Sequence, residues 1–342
     1  MSALNKELTQ RANGERLRSI YFGGGTPSSL SVKHISDILA TINSLFILDK
    51  AAEITVEANP GTVDKVYLTE LRKQGVNRLS LGVQSLNDSE LALLGRIHTA
   101  AEAKEAVCFA RDSGFENLSL DFIYGLPGQT LLDWEHTLNK VLKMEPEHLS
   151  LYALSLEADT PMWQTINENR IPDIDHDLSA DQYELAEDIL AVHGYQHYEI
   201  SNWAREGREC YHNMVYWRNQ PYLGVGAAAH SYLDGRRLAN SNSLDTYMAA
   251  FANGTPIALD MDHEISPQLQ LAETVILGLR LCEGVNLDNM RSRFGIDIRA
   301  WYRQQIGACV DYGLLEHADG HIKLTRRGRL LSNEVFWRFL PG

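Results

Sequence analysis

Polar residues able to hold a ligand stand where apolar runs of this chain end. In YFGGGTP, consecutive glycines that include Gly24 and Gly25, followed by Thr26, let backbone N–H and C=O groups approach a ligand because no Cβ intervenes. A tight strand-to-helix turn would use the same residues, with Thr26-Pro27 setting the helix start. No Gly-Lys-Ser/Thr follows, so the segment is not a P-loop. Glu57 in ITVEANPG, Gln84 in RLSLGVQS and Asp121 in LSLDFIYG occupy comparable positions. A carboxylate there must be solvated, paired or ligand-bound to offset its desolvation. Arg96 in LLGRIH can offer a guanidinium fork to a carboxylate, or simply stand exposed at a helix end. A ligand with amine, carboxylate and hydroxyl groups would suit the set.

A second group lies in ECYHNMVYWRNQPYLGVGAAAHSYL, where His212 and Asn213 precede Tyr216 and Trp217. An imidazole can ligate a metal ion, and aromatic faces can pack on a flat ligand. The structural alternative is a loop locked over a sheet by aromatic side chains, with the histidine hydrogen-bonded. The four cysteines, Cys108, Cys210, Cys282 and Cys309, show neither the density of a disulfide scaffold nor a close pair for a metal. They read as reduced thiols. The start MSALNKELTQ is polar and no run of eighteen apolar residues occurs, so the expected compartment is the cytoplasm. A formal charge of −14 argues against nucleic acid or anionic membranes as general partners.

The elements that must position these residues follow from periodicity. With 44% hydrophobic and 22% charged residues the chain is globular, and at roughly 100 to 200 residues per domain two domains are expected. The first half alternates β-branched runs with helical patterns, the mark of a parallel sheet wrapped by crossover helices. Candidate strands are Ser19 to Phe22, Glu53 to Glu57, Arg78 to Val83, Asn117 to Ile123 and His148 to Leu154. In SVKHISDILATINSLF, Val32, Ile35, Ile38, Leu39 and Ile42 recur at helical spacing, and Ser31 can cap the first turn. Ligands of parallel α/β folds bind at the carboxyl ends of the strands, so the polar segments should converge on one composite site. From Tyr195 to Tyr232 the composition predicts irregular structure over the sheet mouth. Helical patterns follow at Gln268 to Leu281, Leu287 to Phe294 and Arg299 to Tyr312, then two alternating strands about Asp319-Gly320 and a last helix. The expected division is 1–235 and 236–342, the second part small, helical and winged-helix-like, suited to packing or partner binding rather than to DNA.

In order, GGGTPS, EANPGT, NRLSLGVQS, LGRIH, LDFIYGLPGQT and YEISNWA resemble the coproporphyrinogen dehydrogenase and HemW branch of the radical S-adenosylmethionine proteins, over essentially the whole chain. The resemblance implies an α/β fold, an incomplete parallel (β/α)6 barrel with a small C-terminal domain. It implies S-adenosylmethionine and a [4Fe-4S] cluster as cofactors. Gly24, Gly25 and Thr26 would hold the methionine amine and Arg96 its carboxylate, while Glu57, Gln84 and Asp121 complete the pocket around methionine and ribose. The HNxxYW segment, His212, Asn213, Tyr216 and Trp217, resembles one associated with heme binding, with His212 the candidate ligand to the heme iron.

That family holds its cluster through a CxxxCxxC loop upstream of GGGTP, and no two cysteines here are closer in sequence than Cys282 and Cys309. A three-thiolate site cannot be built from them. The first βα unit and its cysteine loop are therefore expected to be missing from this chain, by truncation or a misplaced start, with a shortened paralogue as the alternative. As written, the chain is not expected to cleave S-adenosylmethionine reductively. Three functions follow from the resemblance: a heme chaperone passing heme to an acceptor protein, a membrane-associated one among the candidates; an oxygen-independent coproporphyrinogen III dehydrogenase; or a cluster-less relic without chemistry.

Overall fold

The computed structural model describes residues 1–341. A helix, Ser2–Arg11, leads into a sheet built from β1 (Arg16–Phe22), β2 (Ile47–Ala58), β3 (Arg78–Gln84), β4 (Leu118–Tyr124), β5 (His148–Ala153), β6 (Gln196–Glu199) and β7 (Asn202–Ala204). Its order is β1-β2-β3-β4-β5-β7-β6. The first five strands are parallel, joined by crossover helices, and β7 and β6 close the far edge antiparallel. The result is a curled half-barrel.

The helices form where the periodicity requires. Val32–Leu45 buries Ile35, Ile38, Leu39 and Ile42 on one face, and the Ser31 side chain accepts a hydrogen bond from the His34 N–H at its start. Thr99 with Glu102, and Thr130 with Asp133, form capping boxes on the helices that follow β3 and β4. These helices cover the outer face of the sheet, where Ile54, Val56, Leu79, Leu81, Val83, Leu118, Leu120 and Phe122 make the main core. Because side chains alternate across a strand, the residues between them face inward.

Three expectations are corrected. The segment read as irregular contains β6, β7 and a helix, Tyr211–Trp217; strands of four and three residues are too short to show an alternation. The division after residue 235 falls inside a hairpin: β8 (His230–Leu233) and β9 (Arg236–Asn240) pair about Asp234 and Gly235, and β10 (Leu259–Glu264) joins them. Turn residues there mark a hairpin, not a linker. The helix expected over Arg299 to Tyr312 is broken at Tyr302 into Ile298–Trp301 and Arg303–Asp311.

The second core begins at Leu271 and is closed by Phe336 and Phe339. It contains a small sheet of β11 (Val285–Asn286), β13 (His321–Leu324) and β12 (Leu315–Ala318). Asp319 and Gly320 both take positive φ at the β12–β13 turn, as a tight hairpin requires. The two cores are tied by ion pairs from Glu187 to Arg326 at 3.1 Å and to Arg329 at 2.6 Å. The Ile200 N–H also donates to the Arg280 carbonyl, which joins the β6–β7 edge to the helical domain.

Candidate functional site

Inside the half-barrel lies a cavity of about 260 Å³. Its walls come from alternate, inward positions of consecutive strands: Tyr21 of β1, Glu57 of β2, Arg78 and Ser80 of β3, Asp121 of β4 and Ser150 and Tyr152 of β5. The helix Tyr211–Trp217 supplies the remainder with His212, Asn213 and Tyr216. Glu57 and Asp121 of the first group of sequence candidates thus share one cavity with His212, Asn213 and Tyr216 of the second, far away in the chain. A wider open groove of about 1230 Å³ runs past the amino ends of the strands, lined by interspersed acids and bases such as Arg16, Asp49, Lys50 and Glu116. Ligands of parallel α/β sheets bind towards the opposite ends, so size alone does not make that groove the site.

Glu57 organises the mouth. It accepts the Tyr21 hydroxyl at 2.7 Å and the Gly24 N–H at 3.3 Å. Gly24 and Gly25 take φ of 80° and 63°, a left-handed turn that exposes their backbone. A Cβ on the preceding Gly23 would stand 2.7 Å from the Tyr21 ring, so that glycine is needed for packing as well. Thr26 joins the same corner by accepting from the Asn59 amide at 3.4 Å. Gln84 has a positive φ of 67° and lies beside Asn59 over Gly82, above the cavity rather than in its wall. Arg96 is exposed on the turn after the helix Asp88–Leu93 and does not line the cavity.

Asp121 accepts the Ser80 hydroxyl at 3.0 Å and the Ser119 hydroxyl at 3.1 Å. Burial raises its pKa above the ordinary carboxyl value, with hydrogen bonds from Ser150 and Ser80 opposing the rise. His212 is held on every side. Its Nδ1 lies 3.0 Å from the Ser19 hydroxyl, its Nε2 2.8 Å from the Tyr216 hydroxyl, and its ring stacks on Tyr21 at 4.8 Å. Burial, and after it the nearby Arg78, push its pKa down to about 4, so the imidazole is neutral at pH 7. A neutral imidazole is the form that binds metal, but one of its two hydrogen bonds must yield before a nitrogen can do so.

Two supports escaped the sequence reading. Glu53 accepts the backbone N–H groups of Tyr211 at 3.0 Å and His212 at 3.1 Å, which anchors the helix that carries His212. Arg78 lies wholly inside the barrel and lines the cavity. Both stand at inward positions of their strands, and the alternation in RLSLGV, where Arg78 and Ser80 alternate with Leu79 and Leu81, is the signal that would have found Arg78. Trp217 turns away from the others: the Arg280 guanidinium lies 4.3 Å from its ring, and it does not line the cavity. The HNxxYW segment is thus divided, three residues inward and one toward the helical domain.

The cysteines do not meet. Cys108 is exposed on the helix Ala100–Asp112, Cys309 belongs to the second core, and Cys210 and Cys282 lie elsewhere. Burial raises the thiols of Cys210 and Cys282 to about 12. Among the described residues no group of three His, Cys, Asp or Glu side chains could hold a metal ion. These residues therefore do not fit a three-thiolate iron–sulfur cluster.

A parallel half-barrel with polar groups along its inner face and a small C-terminal domain defines a class. The Radical SAM superfamily model matches residues 3–141, and the HemN C-terminal domain model matches residues 265–331. The solved structure of coproporphyrinogen III oxidase (HemN) from Escherichia coli, described as a radical SAM enzyme, superposes with a TM-score of 0.84 over 98% of this chain and 81% of that one. At 24% identity that likeness shows the fold alone. The sequence comparison is more particular. Heme chaperone HemW of Bacillus subtilis is 35% identical over 99% of this chain and 90% of its own length. Heme chaperone HemW of Haemophilus influenzae is 41% identical over 95% and 83%, and that of Escherichia coli 33% over 96% and 85%. The chain belongs to the HemW family.

Proposed function

We propose that this chain is a heme chaperone, which binds heme and passes it to an acceptor protein. The similarity to HemW chaperones along nearly the full length of both partners carries the reading. The cavity supports it chemically: His212 offers a neutral imidazole, and Tyr216 and Asn213 stand beside it on the same helix. His212 is assigned as the iron ligand, with Tyr216 releasing its hydrogen bond, and Asn213 and Tyr216 as its neighbours against the macrocycle. Trp217 is assigned to the same segment as a prop against Arg280.

The radical SAM class supplies a second ligand. S-adenosylmethionine, when bound, would bring a cleavable sulfonium. Glu57, with the Gly24 N–H beside it, and Asp121 have the polarity to meet its amine and hydroxyl groups, and Gly25, Thr26 and Gln84 stand at the same mouth. Arg96 would reach the carboxylate only by folding inward from its exposed turn. No radical step is assigned to these residues, because the described cysteines do not hold a cluster. Among the described residues no helix is long and apolar enough to cross a membrane. With four free thiols, the cytoplasm is the compartment we assign.

Titration of the purified chain with heme, followed by absorption, tests the reading. Saturable one-to-one binding is expected, weakened at least about tenfold in His212→Ala by loss of the iron-ligating imidazole. Binding that ignores the substitution would remove His212 from the site, and no saturable binding would remove the chaperone reading.

A further inference from the structure

Arg78 begins β3 on its inward face, is only 2% exposed, and lines the cavity. A guanidinium carries five N–H donors and does not lose its charge inside a protein. Burying one without hydrogen bonds is costly, yet its Nε has no partner among the described residues. The chain's own carboxylates do not close a fork on it. Glu53 gives its oxygens to the backbone N–H groups of Tyr211 and His212, Glu57 takes the Tyr21 hydroxyl and the Gly24 N–H, and Asp121 takes serine hydroxyls. A buried cation thus faces a cavity with donors to spare.

We propose that Arg78 receives a carboxylate arm of the bound ligand, reaching into the barrel from the cavity mouth. The inference rests on the heme reading above, since heme carries two propionate arms. Size agrees with this division of the ligand. About 260 Å³ is less than the ~300 Å³ at which pockets for whole small ligands begin, so an arm fits inside while the macrocycle stays at the mouth. Planar, bidentate recognition of a carboxylate is what a guanidinium does better than an ammonium. Arg78 is then the specificity residue: it distinguishes a tetrapyrrole with free acid arms from a neutral one of the same shape.

Two pairs of probes test this. The first is propionate against propionamide, its neutral counterpart, read as the thermal unfolding midpoint of the unmodified chain. Propionate should raise the midpoint and propionamide should not, with the response absent in Arg78→Met and reduced in Arg78→Lys. The second is heme against heme dimethyl ester, followed by absorption. The unmodified chain should bind the free acid at least about tenfold more tightly, as expected for a charge-assisted hydrogen-bonded pair, and Arg78→Met should bind both alike. Equal responses to propionate and propionamide, with heme and its ester bound equally, would overturn the proposal while leaving the heme reading intact. A response to propionate with no preference for the free acid heme would uphold the carboxylate site and overturn heme as its source. Failure to bind heme in either form would end the heme reading, and the propionate pair would then decide the carboxylate site by itself. The comparisons on the unmodified chain stand even if Arg78→Met does not fold.

Discussion

The two faces of the barrel sheet are made by the same strands and do opposite things. Outward, Leu79, Leu81, Leu118, Leu120 and Phe122 close an apolar core against the helices. Inward, one residue away along each strand, Arg78, Ser80, Ser119, Asp121, His148 and Ser150 enclose polar groups that depend on one another. The Ser119 hydroxyl lies 2.8 Å from His148 Nδ1, and His148 Nε2 lies 2.8 Å from the Tyr198 hydroxyl. The outer face stabilises by area removed from water. The inner face gains little net stability from hydrogen bonds that replace those to water, and loses where one is left unmade. Such a face gives polar ligand groups partners that an apolar core cannot offer.

The contrast is sharpest on β4. Leu120 is fully buried on the outer side, next to Asp121 on the inner side. Leu120→Ala should cost about 2–5 kcal/mol in denaturant unfolding through lost burial and the cavity left behind, with heme affinity of the folded protein unchanged. Loss of affinity as large as that in His212→Ala would show that the two faces are not separable.

The next effect belongs to the inner face and appears only with pH. The folded pKa of His212 is depressed from 6.5 to about 4, chiefly by burial. Its neutral form therefore contributes stability that is fully present above about 6.5 and is lost as pH falls through about 4. The loss is at most about 3 kcal/mol at 1.36 kcal/mol per pKa unit. Unfolding by urea at a series of pH values should show a steeper acid loss in the unmodified chain than in His212→Phe, and parallel curves would place His212 in a more solvated setting. The smallest effect is expected where the HNxxYW segment leaves the cavity. Trp217→Phe forfeits part of a cation–π contact with Arg280, about 1 kcal/mol or less, and heme titration should be unaltered; a marked fall in affinity would bring Trp217 into the site.

Much of this organisation was legible in the chain. Carboxylates ending apolar runs point to Glu57 and Asp121, and helical spacing with Ser31 as cap marks the helix that forms over Val32–Leu45. Arg78 was equally legible in the alternation of RLSLGV, but at the first position of its strand, directly after Asn77, an arginine has the look of a solvated flank. Arg96 shows the reverse: its guanidinium chemistry suits a ligand carboxylate, but a side chain's chemistry does not say which way its turn carries it. The hairpin of β6 and β7 was hidden because its pairing partner is β5, about fifty residues earlier in the chain, and non-local pairing leaves no periodic trace in short segments.

By itself the sequence determined the alternation of strand and helix, the two faces of each strand, and the residue types available for binding. These are local properties, set by side-chain period and by turn and cap chemistry. Only the tertiary structure decided that Glu57 and Asp121 share a cavity with His212, that Glu53 holds the helix bearing that histidine, and that Trp217 stands outside. Those relations join residues from about sixty to more than 150 positions apart, and they depend on how far the sheet curls before the β6–β7 hairpin and its following helix close back over it. Curl is the sum of small twists and packing contacts along the whole sheet, and no short stretch of residues contains it.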